Sequence, residues 1–81
     1  MKLPRDVSGR QLVRSLQTLG YEVTRQTGSH IRITTESRGI HHITIPDHQP
    51  LRVGTLSAVL REVAEHFDMT REELIGILCL P

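Results

Sequence analysis

Eighty-one residues with 37% hydrophobic side chains, no Trp, one Tyr and one Phe leave room for one compact domain, residues 1–81, around an aliphatic core. Without disulfide or metal staples such a domain holds only about 3 to 5 kcal/mol of stability, so support from a partner or from a second copy of the chain, a homo-oligomer, suits it. A formal net charge of +1 excludes a strongly charged polyelectrolyte; by itself it neither demands nor forbids a nucleic-acid partner.

Nine of the ten basic residues are Arg, the planar, bidentate type that matches phosphate. The lone Cys79 cannot close an internal disulfide, which suits a reducing compartment. The first twenty residues alternate charged and apolar types, and the longest apolar run, Leu74 to Pro81, is too short to span a bilayer. These features point to the cytoplasm and to no membrane partner.

Ser8, with Gln11 three residues on, has the form of a capping box. Leu12, Val13, Leu16 and Leu19 then recur at helical spacing, and Gly20 stands where a glycine stop belongs, predicting a helix over Gly9 to Leu19. Tyr21 to Arg25 and Ser29 to Thr34 alternate apolar and polar and read as strands. A three-residue loop, Gln26-Thr27-Gly28 with Gly28 left-handed, would set Val23 opposite Ile31 and Tyr21 opposite Ile33. On that register Val23, Tyr21, Ile31 and Ile33 are buried, and Glu22, Thr24, His30 and Arg32 share the outer face.

Thr35 to Gly39 reads as a second turn and Ile40 to Pro46 as a third strand. Ile43 and Ile45 match the core face, whereas His42 and Thr44 fall beside His30 and Arg32; Pro46 ends the strand because it cannot donate to the ladder. Asp47 to Val53 is a loop carrying His48. Thr55 is a good N-cap for a helix over Leu56 to Phe67, whose stripe of Leu56, Val59, Leu60, Val63 and Phe67 is core. Thr70 with Glu73 opens a short last helix through Leu74, Ile75 and Leu78. Helices before and after an antiparallel meander must both cover its one apolar face. The result is an α+β, αβββα architecture of the double-stranded-RNA-binding-domain (dsRBD) type with a short C-terminal helix.

Several landmarks resemble one family. Ser8-Gly9, Leu19-Gly20-Tyr21, Arg25-Gln26-Thr27-Gly28-Ser29-His30, Ile45-Pro46 followed by His48, and Gly54-Thr55-Leu56 are similar, in order and over nearly the whole chain, to the HicA (YcfA-like) toxins of HicA/HicB toxin-antitoxin pairs. The resemblance implies a dsRBD-like fold, mRNA interferase (endoribonuclease) activity, a single catalytic histidine in the Gly-Ser-His motif and a HicB-like antitoxin partner. By position the catalytic residue is His30, with Gly28 and Ser29 shaping its turn.

An imidazole can take or give a proton at neutral pH, which RNA cleavage requires at the 2′-hydroxyl or at the leaving 5′-oxygen. A cation should stabilise the charge that develops on phosphorus. Arg32 is the first candidate, with Arg25 or Lys2 in reserve; the competing role for Arg32 is a cross-strand pair with Glu22. His42 and His48 could contact phosphate, serve as a second acid or base, or be solvated surface histidines. No metal and no cofactor are expected: His41 and His42 are adjacent on a strand and so face opposite ways, and one Cys among scattered His lacks ligand spacing. Two other readings are a non-catalytic RNA-binding module and a degenerate toxin that only binds a protein partner.

Overall fold

Ser8 and Gln11 do cap each other: the Ser8 hydroxyl accepts the Gln11 N–H at 3.0 Å, and the Gln11 amide oxygen accepts the Ser8 N–H at 2.8 Å. In the computed structural model, which describes residues 3–80, this box opens helix α1 (Gly9–Leu16). A 3-10 turn, Gln17–Leu19, carries it to Gly20, which ends it in the left-handed conformation. Strands β1 (Glu22–Thr27), β2 (His30–Thr35) and β3 (His41–Pro46) form an antiparallel sheet in that spatial order. Helices α2 (Val53–His66) and α3 (Arg71–Leu78) follow, the second opened by the Thr70–Glu73 box. The backbone N–H of Thr70 on the Glu73 carboxylate holds that carboxyl below its usual range.

The alternation of the strands decides where the core sits. Ile31, Ile33, Ile43 and Ile45 are buried with Leu12 and Leu16 of α1, Leu56, Leu60 and Val63 of α2, and Leu74 of α3. All helices therefore lie on one side of the sheet, and His30, Arg32, His42 and Thr44 are exposed on the other. This is the expected α+β, dsRBD-like arrangement with an added C-terminal helix. Among the described residues no helix is long and apolar enough to cross a membrane.

The first hairpin differs from the sequence reading. Thr27 pairs with His30, so the connection is the two-residue turn Gly28-Ser29, and Ser29 belongs to the turn instead of the strand. Gly28 has φ of 57° while Ser29 is absent from the positive-φ residues, which suits a type II′ connection with glycine first. Left uncorrected, that register would set Val23 opposite Thr34 and put this apolar side chain on the open face. A bulge at Thr24 absorbs one residue and restores Val23 to Ile33. Val23 is nevertheless 49% exposed, because on the edge strand β1 it lines an open groove with Arg10, Val13 and Arg14 of α1 instead of being covered by the helix. Tyr21 precedes β1 and is buried, its hydroxyl 2.7 Å from His41 Nδ1.

Two further boundaries move. Thr35, expected in a turn, is the buried last residue of β2. Its hydroxyl donates to the Leu19 carbonyl at 2.9 Å and accepts the Ser37 N–H at 3.1 Å, tying the end of the first helix to the second turn. Thr35→Val keeps the shape but strands both partners, and should lower unfolding stability by about 1 to 3 kcal/mol in a denaturant titration. Helix α2 starts at Val53 with Arg52 at the N-cap position and no side-chain cap, so Thr55 lies inside the first turn. Its start is set by the chain before it, where the Leu51 N–H donates to the Val7 carbonyl at 2.8 Å.

Candidate functional site

His30 is the first residue of β2, immediately after the Gly28-Ser29 turn, and its side chain is exposed on the helix-free face. Its cross-strand neighbours are Thr27 and Pro46. Neither is hydrogen-bonded to the ring, which has no hydrogen-bond or ion-pair partner among the described residues. Both ring nitrogens are thus open to a ligand.

The corner that carries His30 is tied down from three directions. The Asp47 N–H donates to the Ser29 carbonyl at 2.6 Å, joining the end of β3 to the turn. The Gly9 N–H donates to the His48 carbonyl at 2.9 Å, and Arg10 holds the Asp47 carboxylate at 3.0 Å. The ion pair itself is largely exposed and contributes little to stability, but the three links fix the geometry of the loop after β3. His48 lies in this loop with an exposed side chain, engaged among the described residues only through its backbone.

Charge on the open face follows from the bulge. Arg25 stands directly opposite Arg32, and neither guanidinium has a carboxylate partner among the described residues. Glu22 is opposite Thr34, so the Glu22–Arg32 pair that the sequence allowed does not form. Like charges directly opposite on a sheet are unfavourable by a few tenths of a kcal/mol or more, and an anion between them reverses the sign. His30 is the next rung. Lys2 lies outside the described residues.

The other histidines divide by face, as their adjacency implies. His41 points toward the helices: Tyr21 is on its Nδ1 and Glu62 Oε1 is 3.4 Å from its Nε2. A carboxylate only accepts, so Nε2 carries the proton toward Glu62, and the Tyr21 hydroxyl donates to Nδ1. Burial, with the charge of Glu62 second, pushes the Tyr21 phenol well above its usual value and keeps that donor in place. His66 stacks on His41 at 4.6 Å and donates from Nε2 to the Ser37 carbonyl at 2.9 Å. This cluster braces the second turn against α2.

His42 is on the open face, four residues along from His30 in the pairing, with its Nδ1 2.7 Å from the Thr34 hydroxyl. Together with Arg32 and Thr44 it lines an open groove of about 810 Å³ between β3 and α2. No group of three or more His, Cys, Asp or Glu able to hold a metal exists among the described residues.

The structure therefore brings His30, Arg25 and Arg32 together, sets His42 at the far end of the same face, and leaves His48 on the loop below. The Arg25–Arg32 opposition and the Thr34 contact of His42 were not visible in the sequence, since both depend on pairing across strands.

A family model described as the HicA toxin of bacterial toxin-antitoxin matches residues 9–64, a stretch that runs from the start of α1 into α2 and contains His30, Arg25, Arg32, His42 and His48. No curated protein and no solved structure matches the chain.

Proposed function

Because the chain belongs to the HicA toxin family of bacterial toxin-antitoxin systems, we propose that it is a metal-independent endoribonuclease that cleaves mRNA through His30 and is held inactive by a HicB-like antitoxin. The observation that carries this reading is an exposed imidazole one rung from two opposed guanidiniums, all three without a side-chain partner among the described residues.

In this reaction RNA lies on the open face with the scissile phosphate over the Arg25–Arg32 pair. His30 takes the proton of the adjacent 2′-hydroxyl, and the 2′-oxygen attacks phosphorus as the bond to the 5′-oxygen breaks. The products are a 2′,3′-cyclic phosphate and a 5′-hydroxyl, the proton passing from the imidazolium to the leaving oxygen. Arg25 and Arg32 offset the charge that builds on the phosphoryl oxygens. His42 and His48 contact RNA on either side, while Gly28 and Ser29 hold the turn that presents His30. An antitoxin seated on the same face would deny RNA access to all of these at once.

Incubating the purified chain with RNA in excess chelator tests this directly. Cleavage should proceed at an unchanged rate and leave cyclic-phosphate ends. Products with 5′-phosphate ends, or a rate that collapses on chelation, would exclude the mechanism. Salt-sensitive binding with no product would instead support a module that only holds RNA.

A further inference from the structure

We propose that His42 is a sugar-reading contact: an imidazole fixed with its proton on Nδ1, whose bare Nε2 accepts a hydrogen bond from the ribose 2′-hydroxyl of a nucleotide flanking the cut. This rests on the ribonuclease reading above and adds a residue-level specificity to it.

The basis is a count of protons along three contacts. His42 Nδ1 is 2.7 Å from the Thr34 hydroxyl, the Thr34 hydroxyl is 3.0 Å from the Thr24 hydroxyl, and the Thr24 hydroxyl donates to the Arg32 carbonyl at 3.3 Å. A carbonyl oxygen only accepts, so the single proton of Thr24 is committed there. Thr24 must then accept from Thr34, which commits the proton of Thr34. Thr34 has only lone pairs left for the ring, so Nδ1 of His42 must be the donor. All three contacts are hydrogen bonds at once only in this direction.

The tautomer decides what the ring can recognise. A neutral His42 with its hydrogen on Nδ1 presents a lone pair at Nε2, an acceptor, to whatever occupies the groove it lines with Arg32 and Thr44. Phosphate oxygens have no proton to give. The 2′-hydroxyl does, and it is the group that separates RNA from DNA. Arg32 in the same groove holds the neighbouring phosphate; the nearby acids are Glu62 of α2, which also lines the groove but has its carboxylate on His41, and Glu22 of β1, opposite Thr34. His30 and Thr34 are four residues apart on β2, about 13 Å of strand. Two rings standing upright on the sheet at that spacing cannot share one phosphodiester. His42 therefore contacts a nucleotide beside the cut, with Thr34 and Thr24 as its positioning residues.

Two measurements test this. Nuclear magnetic resonance of nitrogen-labelled intact chain at neutral pH should show His42 with hydrogen on Nδ1, and Thr34→Val should shift it to Nε2 while Thr34→Ser does not. Observing Nε2–H in the parent overturns the proposal. For the second, the chain carrying His30→Ala is titrated with an RNA oligonucleotide and with versions bearing one 2′-deoxy or one abasic residue. One deoxy position outside the cut should weaken binding about tenfold, the value of a single good hydrogen bond, and His42→Phe should erase that difference. If no deoxy position depends on His42, or if only the abasic position does, the sugar contact is refuted. A parent chain that neither binds nor cuts RNA would instead remove the ribonuclease reading, a result distinct from RNA cleavage with the wrong His42 tautomer.

Discussion

His30→Ala should reduce the single-turnover rate of RNA cleavage by about 10² to 10⁴-fold, the range that a positioned acid or base supplies, and leave thermal stability nearly unchanged. The two halves of this expectation have separate grounds. The ring is exposed and makes no hydrogen bond or ion pair with the described residues. Surface substitutions of that kind shift stability by about 0.5 kcal/mol or less. Its loss from the reaction is another matter, because no other proton-transferring group shares its rung: the cross-strand neighbours are Thr27 and Pro46. A rate measured beside a melting curve on the same preparation separates the effects. A variant that melts with the parent and cuts as fast would remove His30 from the mechanism; His30→Gln, which keeps a polar side chain of similar length, should be as slow as His30→Ala.

Much of this arrangement was legible in the sequence wherever one local rule fixes the outcome. Ser8 with Gln11 and Thr70 with Glu73 specify their helix starts because each pair satisfies its own amides, whatever the rest of the chain does. Alternation around Ile31 and Ile33 puts His30 and Arg32 outward for the same reason. The hairpin register was not legible, because Thr27-Gly28-Ser29 admits more than one turn and only a bulge at Thr24 reconciles the tighter one with the apolar positions. The bulge then sets Arg25 against Arg32, so the charge of the site inherits the same ambiguity. Val23 was misjudged because its pattern is that of a buried strand residue, and nothing local says that α1 leaves an open groove above it. Thr55 misled as an N-cap because α2 begins where Leu51 is pinned to Val7, a contact between residues far apart in sequence.

The strongest effect on the fold is expected at a residue with no side chain. Gly9 opens α1, is buried, and donates its N–H to the His48 carbonyl. A Cβ there would collide with the Pro46 carbonyl oxygen, with the Pro46 carbonyl carbon at 3.0 Å and the Asp47 Cα at 3.2 Å behind it. All three atoms are backbone, so no side chain can swing aside. Alanine in place of glycine inside a helix ordinarily gains up to about 1 kcal/mol. Here that gain is outweighed: overpacking costs about 1 to 3 kcal/mol, and lifting α1 gives up the Gly9–His48 hydrogen bond at about 1 kcal/mol more. For a domain with about 3 to 5 kcal/mol in hand this is most of its stability. Gly9→Ala should therefore melt on the order of 10 °C or more below the parent. Gly54→Ala is the control, since Gly54 is also helical but a Cβ there meets nothing within 4 Å; it should melt at or slightly above the parent. Equal melting of Gly9→Ala and the parent would mean that α1 does not rest on the end of β3. The same seat governs the chemistry, because Pro46 is the cross-strand neighbour of His30 and Asp47 is tied to the Ser29 carbonyl. At temperatures where Gly9→Ala is still folded, it should lose cleavage rate beyond its folded fraction, as the corner carrying the imidazole shifts with the displaced backbone.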